Sequence, residues 1–236
     1  MTPERLAQVD EALRGVRSRI ATAARAADRD PAEVTLVAVT KTFPAADVAL
    51  LASLGVADVG ENKDQEARGK HAELVADHPQ LRWHLVGQLQ SNKARSAASY
   101  AHAVHSVDRA KIVHALDRAA RELRSSSLQV FVQVSLDGDP ARGGAVAADV
   151  PALAEAVAAA EGLTLAGVMA VAPVGWEPAR AFADLAAVST DLRRDHSGAV
   201  AVSAGMSADL EAAVAAGSTH VRVGSALLGR RPPVLS

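Results

Sequence analysis

The stretch VTLVAVT, residues 34–40, is apolar at most positions and runs directly into Lys41, Thr42, Phe43 and Pro44. A segment apolar on both of its alternating faces reads as a strand covered on both sides, which is the habit of parallel sheets. Similar runs recur at 57–60, at 81–87 (LRWHLVG) and at 101–107 (AHAVHSV). The second half supplies 128–135 (LQVFVQVS), 163–171 (LTLAGVMAV), 199–203 (AVAVS) and 220–223 (HVRV). Helical patterns fill the gaps at 45–54, 62–76, 108–123, 150–160, 178–194 and 208–216, and another at 2–27 precedes the first strand. Strands alternating with helices imply parallel strands joined by crossover helices. An open doubly wound sheet usually has a glycine-rich turn after its first strand, whereas here that turn is KTFPA. Eight such units in 236 residues favour an α/β fold of the closed (β/α)8 TIM-barrel type, compact against the ~250 residues typical. The short second strand and the lack of a clear helix after Leu228 fit that pattern least well. No Pro/Gly/Ser-rich linker divides the chain, so residues 1–236 are expected to form a single domain.

Composition narrows the possible functions. The chain is 49% hydrophobic and 22% charged, which argues against disorder. With no cysteine, disulfides, thiolate zinc sites and a cysteine nucleophile are excluded. A formal charge of −2 gives no basic footprint for nucleic acid. The amphipathic N-terminus does not read as a secretory signal, and no apolar run approaches the ~20 residues a spanning helix needs. A cytoplasmic protein without nucleic-acid or membrane partners is expected.

In a barrel the active site lies at the C-terminal ends of the strands. Lys41, Glu61 with Asn62, Gly87 with Gln88, Ser106 with Asp108, Met169, Ser203 with Gly205, and Arg222 with Gly224 and Ser225 stand there. A lysine ending a buried strand is partly desolvated, which favours the neutral amine that attacks a carbonyl; a surface lysine opening a loop is the plain alternative. Ser203-Ala-Gly-Met-Ser207 reads as strand, tight loop and helix start, with N–H groups suited to an anion. With Gly224 and Ser225 it would form the phosphate site common after strands seven and eight, unless both glycines serve only as turns. Arg222 and Gly224 share a face. An inward arginine requires an ion pair, with Glu61 or another acid, or a ligand.

Other residues carry less. His84 can face the interior as a satisfied core group, while Trp83 packs under the helices. The histidines show no HxH or HExxH spacing, so no metal site is expected. Lys93, Arg95, Arg68 and Lys70 line an anionic ligand's entrance or, as the plainer reading, form a solvated helix face. The connection at 137–144 is a lid or a turn.

Several segments resemble one family closely. AVTKTFP (38–44), GEN (60–62), WHLVGQLQSNK (83–93), GVMAV (167–171), the RGG at 142–144 and GMSADLEAAVAAGSTHVRVGSALLG (205–229) look like signatures of the pyridoxal phosphate homeostasis protein family. Its barrel is similar to the N-terminal domain of alanine racemase. The resemblance implies a protein that holds pyridoxal 5′-phosphate (PLP) and regulates its supply, with PLP-dependent apoenzymes as partners. Lys41 matches the Schiff-base lysine, and Ser203, Gly224 and Ser225 match phosphate-binding positions, with backbone groups of Gly205, Met206 and Ser207 nearby. Arg222 matches the arginine at the pyridine nitrogen, and Asn62 and His84 fall in motifs lining the pocket. The chain departs from the common pattern at Ala204 and Lys63.

An arginine at the pyridine nitrogen weakens the cofactor as an electron sink, so carbanion chemistry would need a second positioned base. Alanine racemase takes that base, a tyrosine, from another domain and another subunit. Tyr100, the chain's only tyrosine, precedes the fourth strand. A monomeric carrier or regulator without catalytic residues is therefore expected. A stand-alone PLP-dependent amino-acid racemase is the alternative, and a cofactor-free lysine aldolase a third reading.

Overall fold

Residues 2–139 and 142–229 are described by the structure, a computed structural model. Its strands are β1 (Thr35–Val39), β2 (Asp58–Glu61), β3 (Arg82–Leu85), β4 (Ala103–Val107), β5 (Leu128–Ser135), β6 (Ala145–Val146), β7 (Leu163–Met169), β8 (Ala201–Ser203) and β9 (His220–Val223). Its helices are α1 (Pro3–Ala26), α2 (Ala45–Ser53), α3 (Asp64–Leu74), α4 (Ala94–Tyr100), α5 (Ala110–Leu123), α6 (Val150–Ala158), α7 (Pro178–Asp195), α8 (Leu210–Ala215) and α9 (Ser225–Leu228). The strand order β4-β3-β2-β1-β9-β8-β7-β5, with β4 also paired to β5, closes a parallel barrel of eight strands. This is the expected TIM-barrel architecture. The two-residue β6 only extends β5 at the barrel's edge.

Among the described residues the helix after the last strand is short, and another element covers its share of the wall. The helix after β9 has only four residues, too short to cover its share of the barrel wall. The 24-residue α1 covers it instead. Thr2 caps α1 by accepting a hydrogen bond from the Arg5 N–H, and Pro3 stands at N1, where no intrahelical N–H is lost. Val9, Leu13, Val16, Ile20 and Ala24 form its buried stripe at helical spacing. That stripe packs in one cluster with Ala38, Leu50, Leu210, Val221, Val223 and Leu227. In helix α4, an Ala/Ser segment, Ala94, Ala97 and Ala98 allow close packing on the wall.

The barrel interior departs from the usual layers of branched aliphatics. One small apolar cluster in it consists of Phe131, Met169 and Ala103 with Ala166 and Ala201. Buried beside it are His84, His105, Ser203 and Arg222.

One close approach sets the wall on which Met169 stands. At Gly167 φ is +153°, and a Cβ there would lie 1.8 Å from the Ala201 carbonyl oxygen. Strands β7 and β8 can therefore pair only around a glycine. Gly167→Ala is expected to lower the free energy of unfolding by about 3 kcal/mol, measured by urea denaturation. An unchanged midpoint would show that the wall yields at little cost.

Candidate functional site

A cavity of 790 Å3 opens at the C-terminal ends of the barrel strands, within the size range of small-molecule sites. Lys41, Asn62, Met206, Ser207, Arg222, Gly224 and Ser225 all line it. Lys41 and Arg222 come from neighbouring strands, since β1 pairs with β9 in a register that sets Val37 opposite Arg222. Gly87, Gln88 and Met169 line it too, whereas Gly205, His84 and Ser203 do not. Gly205 is buried, with φ +90° and a Cβ position 2.5 Å from Ala213 Cβ, so it lets the β8–α8 loop close on its helix. His84 and Ser203 are buried inside the barrel and do not line the cavity. Ser203 touches Arg222 instead: Arg222 Nη1 donates to its Oγ at 2.7 Å.

Arg222 is the decisive side chain. It is buried, and its Nη2 donates to the Ala170 carbonyl at 2.9 Å. Among the described residues no ion pair joins it to a carboxylate. Glu61, one partner weighed from the sequence, is 2.7 Å from Lys70. Burial brings the guanidinium down to about 10, with Asp209 acting in the opposite direction, so it keeps its charge at neutral pH. A buried cation without a carboxylate is costly unless something else in its cavity accepts from it.

Lys70 is not on a solvated face. It is buried, and its Nζ donates to the Thr40 carbonyl (2.8 Å) and to single oxygens of Glu61 and Glu66 (both 2.7 Å). The same Glu66 oxygen accepts the Thr42 backbone N–H at 2.6 Å, and Thr40 Oγ1 donates to Glu61 at 2.6 Å. Both neighbours of Lys41 are thus gripped from α3. Thr42 needs this hold, because its φ is +71°, a strained conformation for a β-branched residue. Burial pushes the Glu61 carboxyl up, against the lowering effects of Lys70 and Thr40, and its Oε2 has no partner among the described residues. Arg68, Lys93 and Arg95 are exposed, as a solvated face requires.

Gln133 and Arg142, not among the residues expected from the sequence, also line the cavity. Gln133 was findable, being two residues beyond the inward Phe131 on β5. Arg142 sits in a loop without periodicity; its Nη2 reaches the Val171 and Ala172 carbonyls at 3.2 and 3.0 Å. That pins the end of the 137–144 connection at the cavity mouth, while residues 140 and 141 lie outside the described residues. Tyr100 does not line the cavity; it ends α4, and its hydroxyl donates to Asp64 at 3.1 Å.

The donor set suits a ligand with an electrophilic carbon for Lys41, an acceptor for Arg222 and an anionic end for Ser207 and Ser225. The alanine racemase, N-terminal domain family matches residues 12–232. The pyridoxal phosphate homeostasis protein of Mycobacterium tuberculosis is 46% identical over 246 residues, covering 97% of this chain and 95% of that protein. The chain belongs to the pyridoxal phosphate homeostasis protein family. The Escherichia coli K12 member is 37% identical over 225 residues, covering 93% of this chain and 95% of that protein. Both are named as homeostasis proteins rather than as enzymes. Among solved structures, PipY of Synechococcus elongatus with PLP bound has a TM-score of 0.83 at 36% identity, covering 94% of this chain and 100% of that chain. Among the described residues no helix is long and apolar enough to cross a membrane, and no group of three His, Asp or Glu residues is placed to hold a metal ion.

Removing the Lys70 cation tests the clamp. Lys70→Met leaves the buried Glu61 unpaired and is expected to cost about 3 kcal/mol of stability at neutral pH. The loss should shrink as pH falls, because Glu61, already raised by burial, then takes up a proton and sheds its charge. A deficit in urea denaturation that stays constant from neutral to acid pH would contradict the assignment.

Proposed function

We propose that this protein binds PLP through a Schiff base at Lys41 and serves cellular PLP supply as a carrier or regulator, without substantial catalysis. The observation that carries this reading is the placement of Lys41 and a carboxylate-free, buried Arg222 on one cavity. PLP, when bound, supplies an aldehyde that a primary amine can capture with loss of water, and a pyridine ring that draws in electrons. Lys41 is the amine at hand. The Arg222 guanidinium can only donate, so it favours an unprotonated, accepting ring nitrogen and a weak electron sink. Ser207 and Ser225, with the backbone at Gly224, offer donors for the phosphate. Asn62 and Gln133 are polar side chains on the same wall.

The same geometry argues against racemisation. The chain's one tyrosine is held by Asp64 outside the cavity, where burial pushes its hydroxyl far up and away from service as a base. In this reading the protein is a cytoplasmic monomer that passes PLP to apoenzymes.

Added PLP is expected to give the wild type a visible absorbance band that Lys41→Ala lacks, and borohydride should fix the cofactor's mass on Lys41. A wild-type spectrum identical to that of free PLP would overturn the reading. Deuterium exchange at Cα of alanine separates carrier from racemase. The expected rate is no more than about tenfold above free PLP, whereas a positioned base alone contributes roughly 10²–10⁴-fold.

A further inference from the structure

A line of hydrogen bonds runs through the barrel interior from Arg222 to Asp58. Arg222 Nη1 donates to Ser203 Oγ at 2.7 Å, and that oxygen lies 2.9 Å from His105 Nδ1. His105 Nε2 lies 2.9 Å from His84 Nδ1, and His84 Nε2 lies 2.9 Å from Asp58 Oδ1. Arg82 closes the far end, its Nε and Nη2 donating to the two Asp58 oxygens at 2.7 and 2.5 Å. Ser203, His105 and His84 are all buried.

With both rings neutral, the two ends decide the direction of every bond between them. A guanidinium only donates and a carboxylate only accepts. Asp58 therefore accepts from His84 Nε2–H. In a neutral ring His84 Nδ1 is then an acceptor, so His105 donates from Nε2. His105 Nδ1 in turn accepts from the Ser203 hydroxyl, whose oxygen accepts from Arg222. Each hydrogen is used once. A proton on His84 Nδ1 would reverse two bonds and leave the Ser203 hydroxyl without an acceptor among the described residues. Full burial also pushes the His105 imidazole well below its ordinary range, in favour of the neutral ring. Phe131 stacks on His105 at 4.1 Å and 18° between planes, which holds the orientation of the ring.

We propose that His84, His105 and Ser203 are positioning residues that lock the Arg222 guanidinium onto the cavity floor through a one-way hydrogen-bond chain ending on the Asp58 carboxylate. Because a guanidinium is planar, holding Nη1 on Ser203 and Nη2 on Ala170 sets the direction of its remaining N–H groups before any ligand arrives. Ser203 and His84 then act behind Arg222 rather than against the ligand. The benefit to PLP binding rests on the function proposed above; the direction of the chain does not.

The test begins with the ligand-free, 15N-labelled protein at neutral pH. Long-range 1H–15N correlation should find His84 and His105 each protonated at Nε2 alone. The two Nη groups of Arg222 should give separate signals that merge in His105→Leu. A proton on Nδ1 of either ring would overturn the direction of the chain, and separate Nη signals persisting in His105→Leu would overturn the positioning role. Should His105→Leu fail to fold, Ser203→Ala makes the same break with a smaller change. Binding of PLP is expected to weaken about tenfold in the folded variant, in line with losing the support of one charged hydrogen bond. Equal affinity would overturn the benefit to binding. A wild type that ignores PLP yet shows both Nε2 tautomers and separate Nη signals would uphold the chain and remove the proposed function.

Discussion

A guanidinium buried at the floor of a cavity, without a carboxylate beside it, is the constraint on which the rest of the barrel interior depends. Taking a charge out of water is expensive, and the low-dielectric interior magnifies any donor left unmet. Here Arg222 meets the Ala170 carbonyl and Ser203. The need for acceptors then passes inward through two histidines to Asp58. Burial raises the Asp58 carboxyl, but hydrogen bonds from His84 and Arg82 outweigh it and hold the group well below the usual carboxylate range. The interior is therefore polar where barrels of this kind are usually filled with branched aliphatics. Its single large aromatic, Phe131, serves as a plate for a histidine.

A second buried cation organises the chain around Lys41. Lys70 gathers Glu61, Glu66 and the Thr40 carbonyl around one ammonium group. Through Glu66 this cluster also holds the backbone of Thr42 in a conformation that Thr42 would not adopt unaided. The two arrangements complement each other. One fixes the chain on either side of Lys41, and the other fixes the plane of Arg222. Both keep cavity residues in place without a ligand, as a binding site needs if it is not to lose affinity to ordering.

Much of this was readable from the amino acids in order. The barrel followed from eight apolar, β-branched runs with helical segments between them, because fully covered parallel strands leave that pattern. Lys41, Asn62, Gly87, Gln88, Met169, Arg222, Gly224 and Ser225 followed from one rule, that residues at strand C-termini share a rim. The rule reached Lys41 and Arg222 but overlooked Arg142, which a loop without periodicity brings to the cavity. The rule also grouped Ser203 with the cavity, and the family resemblance did the same for His84, although neither lines it. Position along a strand tells which face a side chain takes, but not its depth within the barrel.

Local pattern alone determined the fold class, the lysine, the arginine and the family resemblance, since these rest on spacing within a few residues. Only the tertiary structure decided what pairs with what. Lys70 looked like one charge among several on an exposed helix until closure of the barrel wall set it against Glu61 and Thr40. The N-terminal helix looked like an addition until the shortness of the last helix left a bare face for it to cover. Asp58, His84, His105, Ser203 and Arg222 are spread over five strands. Their order in a single hydrogen-bonded line is a property of the closed barrel, because buried donors and acceptors must satisfy one another across whatever distance in sequence the fold has removed.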